Sequence, residues 1–203
     1  VNLRDDELPY LGSPSPASSG RALRAAGVLA IELENGKNIS CTGVAVSSKH
    51  VVTAGYCIRP FMDPQARSVK FNFGGQQYSL SSVRHSMDAN VALLRVDEGG
   101  LLPAFMNVSS LRDPIAGEAI YLAASTDAQK IPVLQVCSVA TVDLDKRTLR
   151  HNCPGGRGAA GAIIVGVNDD VLLGVHYARS DGDRAGVAVL LPADLMALLE
   201  SAR

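Results

Sequence analysis

From residue 28 onward, short apolar runs alternate with turn-forming pairs, at lengths that suit strands rather than helices. Residues 28–34 and 37–46 flank Asn35-Gly36, which predicts a hairpin closed by a type I′ turn. Residues 69–73 and 76–80 flank Gly74-Gly75 and predict a second hairpin. Residues 91–96 are apolar almost throughout, the mark of a strand buried on both faces. A second group of runs follows at 119–123, 133–142, 148–152, 162–167, 171–176 and 186–190. Between the groups, 103–114 starts and ends on proline and reads as a linker. The pattern predicts an all-β single domain over 1–203, with one barrel over 25–105 and a second over 106–191. Residues 1–24, rich in Pro, Ser, Gly and Arg without a period, predict an irregular arm. At the other end Pro192 precedes Leu195, Leu198 and Leu199 on one helical face, which predicts a short helix over 192–203.

Composition narrows the functional classes. A chain of 203 residues with 47% apolar and 19% charged residues has the make-up of an ordinary globular protein. A net charge of −1 gives no electrostatic reason to bind nucleic acid or an anionic membrane. No run reaches the ~18 apolar residues of a membrane span, so no membrane insertion is expected. Nothing at Val1 resembles a leader, which predicts a processed or intracellular chain. Trp is absent and aromatic residues are few, which argues against a carbohydrate site or an aromatic cage. The four cysteines fall into two pairs, each 16 positions apart. Three disulfide connectivities, or four buried thiols, satisfy that count. No C-x-x-C and no close Cys/His cluster stands out along the sequence, so neither a metal nor another cofactor is expected.

Three motifs carry the chemical argument. Cys41-Thr42-Gly43 leads through an apolar run to Thr53-Ala54-Gly55-Tyr56-Cys57. Asn90-Val91-Ala92-Leu93-Leu94 forms the second, and Gly158-Ala159-Ala160-Gly161-Ala162, with Ala160 seven residues after Cys153, the third. In order and context these resemble the three catalytic segments of chymotrypsin/trypsin-like serine proteases, in particular the bacterial secreted, glutamyl-endopeptidase-like branch. That resemblance implies two six-stranded antiparallel Greek-key barrels of the chymotrypsin-like fold, a C-terminal helix, and disulfides Cys41–Cys57 and Cys137–Cys153. Each bridge closes a loop worth roughly 3 kcal/mol in the chain-entropy model. Disulfides in turn place the chain in an oxidising compartment, secreted or periplasmic.

The same resemblance puts Tyr56 where the family has histidine, Asn90 where it has aspartate and Ala160 where it has serine. Acyl transfer of that kind needs a nucleophile, a base that titrates near neutrality and a carboxylate to orient it. Alanine supplies no nucleophile, and a phenol that titrates near ~10 is a poor base at pH 7. Backbone amides at Gly158 and Ala160 would remain as an oxyanion-hole remnant. Ala159 stands where vertebrate-type relatives carry the aspartate that pairs with a new amino terminus, so that activation switch is missing. His176, in Gly174-Val175-His176, matches a strand that walls the pocket for an acidic side chain in the glutamyl-endopeptidase branch; a hydrogen-bonded barrel histidine is the equal alternative. Arg157 reads as a solvated loop charge, and His50, His85 and His151 as surface or turn residues. Tyr56 is expected to fill the cleft floor, with Asn90 as partner for its hydroxyl.

The leading expectation is therefore a non-catalytic protease homologue, a pseudoprotease, that binds a protein or peptide partner. The alternative is a secreted endopeptidase whose serine was exchanged for Ala160, which leaves Tyr56 and Asn90 unaccounted for. Two further readings are an enzyme built on His176 with Asp181 or Asp183, and a structural subunit with an unused cleft.

Overall fold

The computed structural model describes residues 16–62, 66–86, 90–106, 108, 112–126, 129–179, 185–191 and 197. Two closed antiparallel barrels make up the molecule. The first contains β1 (Ala26–Leu33), β2 (Asn38–Ala45), β3 (His50–Ala54), β4 (Ala66–Phe73), β5 (Gln76–Ser86) and β6 (Val91–Val96). The second contains β7 (Ala119–Thr126), β8 (Gln129–Asp143), β9 (Thr148–His151), β10 (Ile163–Gly166), β11 (Leu172–Arg179) and β12 (Gly186–Leu190). Around the first barrel the strands run β1-β2-β3-β6-β5-β4, and around the second β10-β11-β12-β9-β8-β7. Numbered from each barrel's first strand, these are the same cycle. The two barrels thus share one topology, as the chymotrypsin-like fold requires.

Side-chain alternation explains how two barrels yield one seam. Along β7, Ile120, Leu122 and Ala124 point into the second barrel's own core, whereas Tyr121 and Ala123 join the larger cluster that fills the first barrel. On β10, Ile164 faces inward and Ile163 and Val165 face the first barrel. Strands buried on both faces leave no polar position in the period-two pattern, hence the continuous apolar runs in the sequence.

The turns follow their residues. Gly74 and Gly75 both have positive φ, 57° and 78°, so the β4–β5 hairpin closes in a two-residue type I′ turn with Phe73 opposite Gln76. The β1–β2 turn differs from expectation. Only Gly36 is left-handed, with φ 76°, and Gly36 N–H donates to Leu33 O at 3.0 Å. That is a type I turn followed by a glycine bulge, with the Lys37 N–H held by Asn35 Oδ1 at 3.0 Å. Asn35 spends its side chain on that bond and keeps ordinary φ.

Residues 16–24 also depart from the irregular arm expected of them. Pro16–Ala25 forms a helix, α1, with proline at its start and Ala22 and Ala25 fully buried. Arg21 of α1 is ion-paired with Asp170 in the β10–β11 turn, so the helix straps the second barrel before its chain enters the first. A second helix, α2 (Gly55–Met62), follows β3 directly. Residues 1–15 and, apart from Ala197, the helix expected over 192–203 lie outside the described residues.

Candidate functional site

The site forms where three loops meet at the seam. The first is the step from β3 into α2. Cys57 and Ile58 anchor the helix in the core, and the Cys41–Cys57 disulfide ties its first turn to β2. Tyr56 is therefore turned outward from a pinned turn and is half-buried. Burial and the neighbouring Tyr177 hydroxyl push the Tyr56 phenol above its ordinary range, so it stays protonated at neutral pH.

Asn90 sits just before β6 with φ 49°, a left-handed conformation that asparagine tolerates better than most side chains. Its carbonyl accepts the Gly55 N–H at 2.6 Å and so fixes the entrance to α2. The expected side-chain bond from Tyr56 to Asn90 does not form. The Tyr56 ring instead meets Tyr177 of β11 edge-on, with centroids 4.9 Å apart and planes at 86°.

The third loop runs from Cys153 to Ala162 and is held by its own backbone, by second-barrel contacts and by Thr42 of β2. The Cys137–Cys153 disulfide fixes its start. Gln135 brackets Gly155, accepting its N–H at 3.0 Å and donating to its carbonyl at 3.1 Å. Ala159 N–H donates to Gly156 O at 3.1 Å, and Ala162 N–H to Ala159 O at 2.9 Å. Thr42 N–H donates to Ala160 O at 2.7 Å, while the Thr42 hydroxyl donates to Gly158 O at 2.8 Å. Gly161 N–H bonds His176 O at 2.8 Å, and His176 N–H bonds Ala162 O at 2.7 Å. None of these bonds requires a side chain at position 160.

Together the loops enclose an open cleft of about 390 Å³, lined by Tyr56, Arg157, Gly158, Ala160, His176 and Tyr177 among others. Tyr56, Ala160 and His176 are thus brought together as expected, and Asn90 supports the cleft from behind through its backbone. The cleft is not filled by Tyr56, because Tyr177 draws the ring to one wall. Arg157, expected as a solvated loop charge, is exposed and lines the cleft.

The histidines were the least legible part of the site. His151 is fully buried and His176 nearly so, and their rings bond through Nε2 of His151 and Nδ1 of His176 at 3.0 Å. Cys153 N–H donates to His151 Nδ1 at 3.2 Å. Nδ1 of His151 is therefore the acceptor and Nε2 carries the proton, which it donates to His176. The His176 proton then resides on Nε2, the atom that faces Gly155. Burial lowers the His176 pKa to about 4, and burial with the neighbouring His176 lowers His151 to about 3. Both rings are neutral at pH 7. His50, also expected at the surface, is buried at the head of β3 with Nδ1 2.9 Å from the Ser47 hydroxyl. His85 lies on β5. For His151 a sequence signal existed: Leu149 and His151 alternate with partly exposed Thr148 and Arg150, the pattern of an inward-facing strand. A Cys/His cluster also exists that the sequence did not reveal. Cys137, His151 and Cys153 place their ligand atoms within 4.8 Å of one another, all buried.

Chemically, the lining offers two arginines, two phenols, one neutral imidazole and backbone amides. Asp181 and Asp183, the partners considered for His176, lie outside the described residues. No described helix is long and apolar enough to cross a membrane.

Comparison with known proteins agrees with this architecture. The profile of the family described as "Trypsin-like peptidase domain" matches residues 41–175, well over half of the chain. Among solved structures, a protease of M. tuberculosis in its active form superposes with a TM-score of 0.70 at 17% identity, covering 98% of this chain and 93% of that one. The catalytically active tobacco etch virus protease complexed with product gives a TM-score of 0.73 at 15% identity, over 100% of this chain and 86% of that one. The serine endoprotease from Yersinia pestis gives 0.71 at 16% identity, over 94% and 67%. At such identities these likenesses speak for the fold alone. No curated protein matches the sequence. Motifs, twin barrels and family profile converge: the chain belongs to the trypsin-like peptidase domain family and carries its chymotrypsin-like fold.

Proposed function

We propose that this chain is a non-catalytic serine-protease homologue that holds a peptide or protein partner in the cleft without cleaving it. One observation carries the reading. Among the described residues that line the cleft there is no aliphatic hydroxyl or thiol, and the one imidazole is tied by Nδ1 to His151. A nucleophile with an adjacent base, the minimum for acyl transfer, has no counterpart there. In this reading Tyr56, Asn90 and Ala160 are the degenerate triad positions, and the amides of Gly158 and Ala160 remain as donors for a bound carbonyl or carboxylate.

The shape of β11 supports an extended ligand. Its last pairing with β10 joins Val175 to Ile163, yet β11 continues to Arg179 along the cleft wall. An extended peptide added beside Tyr177 and Ala178 would gain main-chain hydrogen bonds at that overhang. The lining favours an acidic ligand, because the exposed Arg157 borders the cleft and no carboxylate stands among the described residues that line it. The two disulfides fit work in an oxidising compartment, secreted or periplasmic.

The test is a panel of fluorescent extended peptides in Glu/Gln and Asp/Asn pairs. Anisotropy is expected to show saturable binding that favours the acidic member, with every peptide intact by mass spectrometry afterwards. Cleavage of any peptide, or saturable labelling of the wild-type chain by a fluorophosphonate, would falsify the proposal.

A further inference from the structure

We infer that the cleft recognises a chain end: the free C-terminal carboxylate of an extended partner sits on the N–H groups of Gly158 and Ala160, which Thr42 positions. The inference rests on the proposed function and narrows its ligand from any peptide to one that stops in the cleft.

The loop is arranged to hold an anion. Gly158 has φ 86° and Ala159 is not left-handed, an alternation of hand that turns N–H groups to one side and makes a backbone concavity for anions. Ala159 N–H is spent on Gly156 O at 3.1 Å, whereas the N–H groups of Gly158 and Ala160 find no backbone acceptor among the described residues. The carbonyls of the same two residues, which would repel a carboxylate, are both turned to Thr42. Its N–H donates to Ala160 O at 2.7 Å and its hydroxyl to Gly158 O at 2.8 Å. Thr42 is fully buried, and its hydroxyl oxygen also accepts Ser125 N–H at 2.9 Å. One residue of the first barrel therefore fixes both carbonyls before any ligand arrives, which leaves the amides preorganised as donors.

Position and charge select a terminus. The paired bonds Gly161 N–H to His176 O and His176 N–H to Ala162 O stitch the end of the loop to β11 at residue 176. A strand added beside Tyr177 and Ala178 stands its side chains off the sheet faces and runs its main chain toward the two amides. An internal residue brings one neutral carbonyl oxygen there. A chain end brings two oxygens and a charge to two N–H donors, beside the exposed Arg157 and with no carboxylate among the described lining residues. Tyr56 lines the same cleft as a protonated phenol and adds an O–H donor. At position 160 alanine presents only a methyl group, so no side-chain oxygen competes for the space.

The experiment uses two isomeric fluorescent peptides of one extended sequence. One ends in Gln with a free α-carboxylate, the other in Glu with an α-carboxamide. Their mass and net charge are the same, and they differ only in where the carboxylate sits. Anisotropy with the full chain is expected to give at least about tenfold tighter binding of the free-acid peptide, the scale of charge-assisted hydrogen bonds. Thr42→Ser, which keeps the hydroxyl, should retain that ratio, whereas Thr42→Val, which keeps only the N–H, should lower it about fivefold. Should Thr42→Val fail to fold, amide NMR spectra of the wild type decide the matter. The Gly158 and Ala160 amide protons should move downfield with the free-acid peptide and stay in place with its isomer. Equal affinities for the two isomers, or equal amide shifts, overturn the chain-end inference and leave the proposed function standing, provided both peptides bind and stay intact. A ratio unchanged in folded Thr42→Val overturns the role of Thr42. Failure of both peptides to bind overturns the inference and the proposed function together.

Discussion

Nε2 of His151 lies 3.0 Å from Nδ1 of His176, and both rings are buried. Two imidazoles in that arrangement cannot both ionise, and burial opposes even one charge; their pKa values fall to about 3 and about 4. In the unfolded chain each ring returns to ~6.5. As pH falls below ~6.5 the unfolded state therefore takes up protons that the folded state refuses, and stability is lost. The loss runs at on the order of 1 kcal/mol per pH unit for each ring, and ends near pH 4 for His176 and near pH 3 for His151. Above ~6.5 neither ring contributes a slope. Asp169, held below its usual range mainly by its hydrogen bond from Arg112, adds its own loss only at lower pH. Urea midpoints measured between pH 7.5 and 5 should decline in wild type and more shallowly in a His151→Gln/His176→Gln variant, which keeps only the smaller loss from buried His50, whose pKa burial also lowers. A wild-type curve as shallow as the variant's would rule out neutral buried rings.

Tyr56 and Tyr177 are predicted to be energetically coupled. Their edge-on contact joins α2 of the first barrel to β11 of the second. Such pairs contribute about 0.5–1.5 kcal/mol beyond the area they bury. A double-mutant cycle with Tyr56→Leu and Tyr177→Leu, read by chemical denaturation, should return a coupling in that range. Coupling indistinguishable from zero would mean the rings are neighbours without mutual effect, and that Tyr56 is free to move into the cleft.

Gly161 should be intolerant of any side chain. Its φ is +89°, and a Cβ there would meet Thr42 O and the Thr53 hydroxyl inside contact distance, with Ala54 N at 3.2 Å. Gly99 provides the control, since its φ is +87° but nothing lies within 4 Å. Gly99→Ala then carries only the backbone cost, about 1–2 kcal/mol. Gly161→Ala carries that cost and the collision, and is expected to lose at least about 2 kcal/mol more, a further ~4–8 °C in Tm. Equal melting temperatures for the two variants would show that the Cys153–Ala162 loop yields easily, contrary to its bonding.

The strand runs and their turns were legible because they depend on local pattern: residues 91–96 form β6 over the same span, and Gly74-Gly75 makes the expected turn. What was missed depends on distant partners. α2 has only eight residues and follows a strand without a break, so its helicity comes from the Cys41–Cys57 bridge and the Asn90 carbonyl rather than from a periodic signal. α1 hid behind its Ser, Gly and Arg content, and two alanines with an ion pair to Asp170 hold it. Tyr56 was correctly placed at the cleft, but its orientation is decided by Tyr177, 121 positions further along the sequence (177 − 56), where no local motif points. His151 reaches His176 only because β9, β12 and β11 are neighbours in the second barrel.

On the proposed non-catalytic reading, giving the cleft protease activity should require all three triad side chains at once. Ala160→Ser supplies a hydroxyl, but Tyr56 is a protonated phenol whose pKa is raised further by burial, so no base accepts its proton. His176 is a poor substitute, because its Nδ1 is committed to His151 and its Nε2 bears a proton. Tyr56→His would add the base and Asn90→Asp its orienting carboxylate. Asp tolerates the left-handed φ of 49° at that position about as well as Asn does. The scaffold does not resist these changes. The Gly55–Asn90, Thr42–Ala160 and Gly161–His176 bonds are all backbone to backbone and survive any choice of side chain. Triad members act as a unit, so partial restoration recovers little. Fluorophosphonate labelling of Ala160→Ser should therefore match wild type, while Tyr56→His/Asn90→Asp/Ala160→Ser labels at least about tenfold faster. If the single variant labelled as fast as the triple, another group would be acting as base, and the cleft would be a displaced active site rather than a binding one.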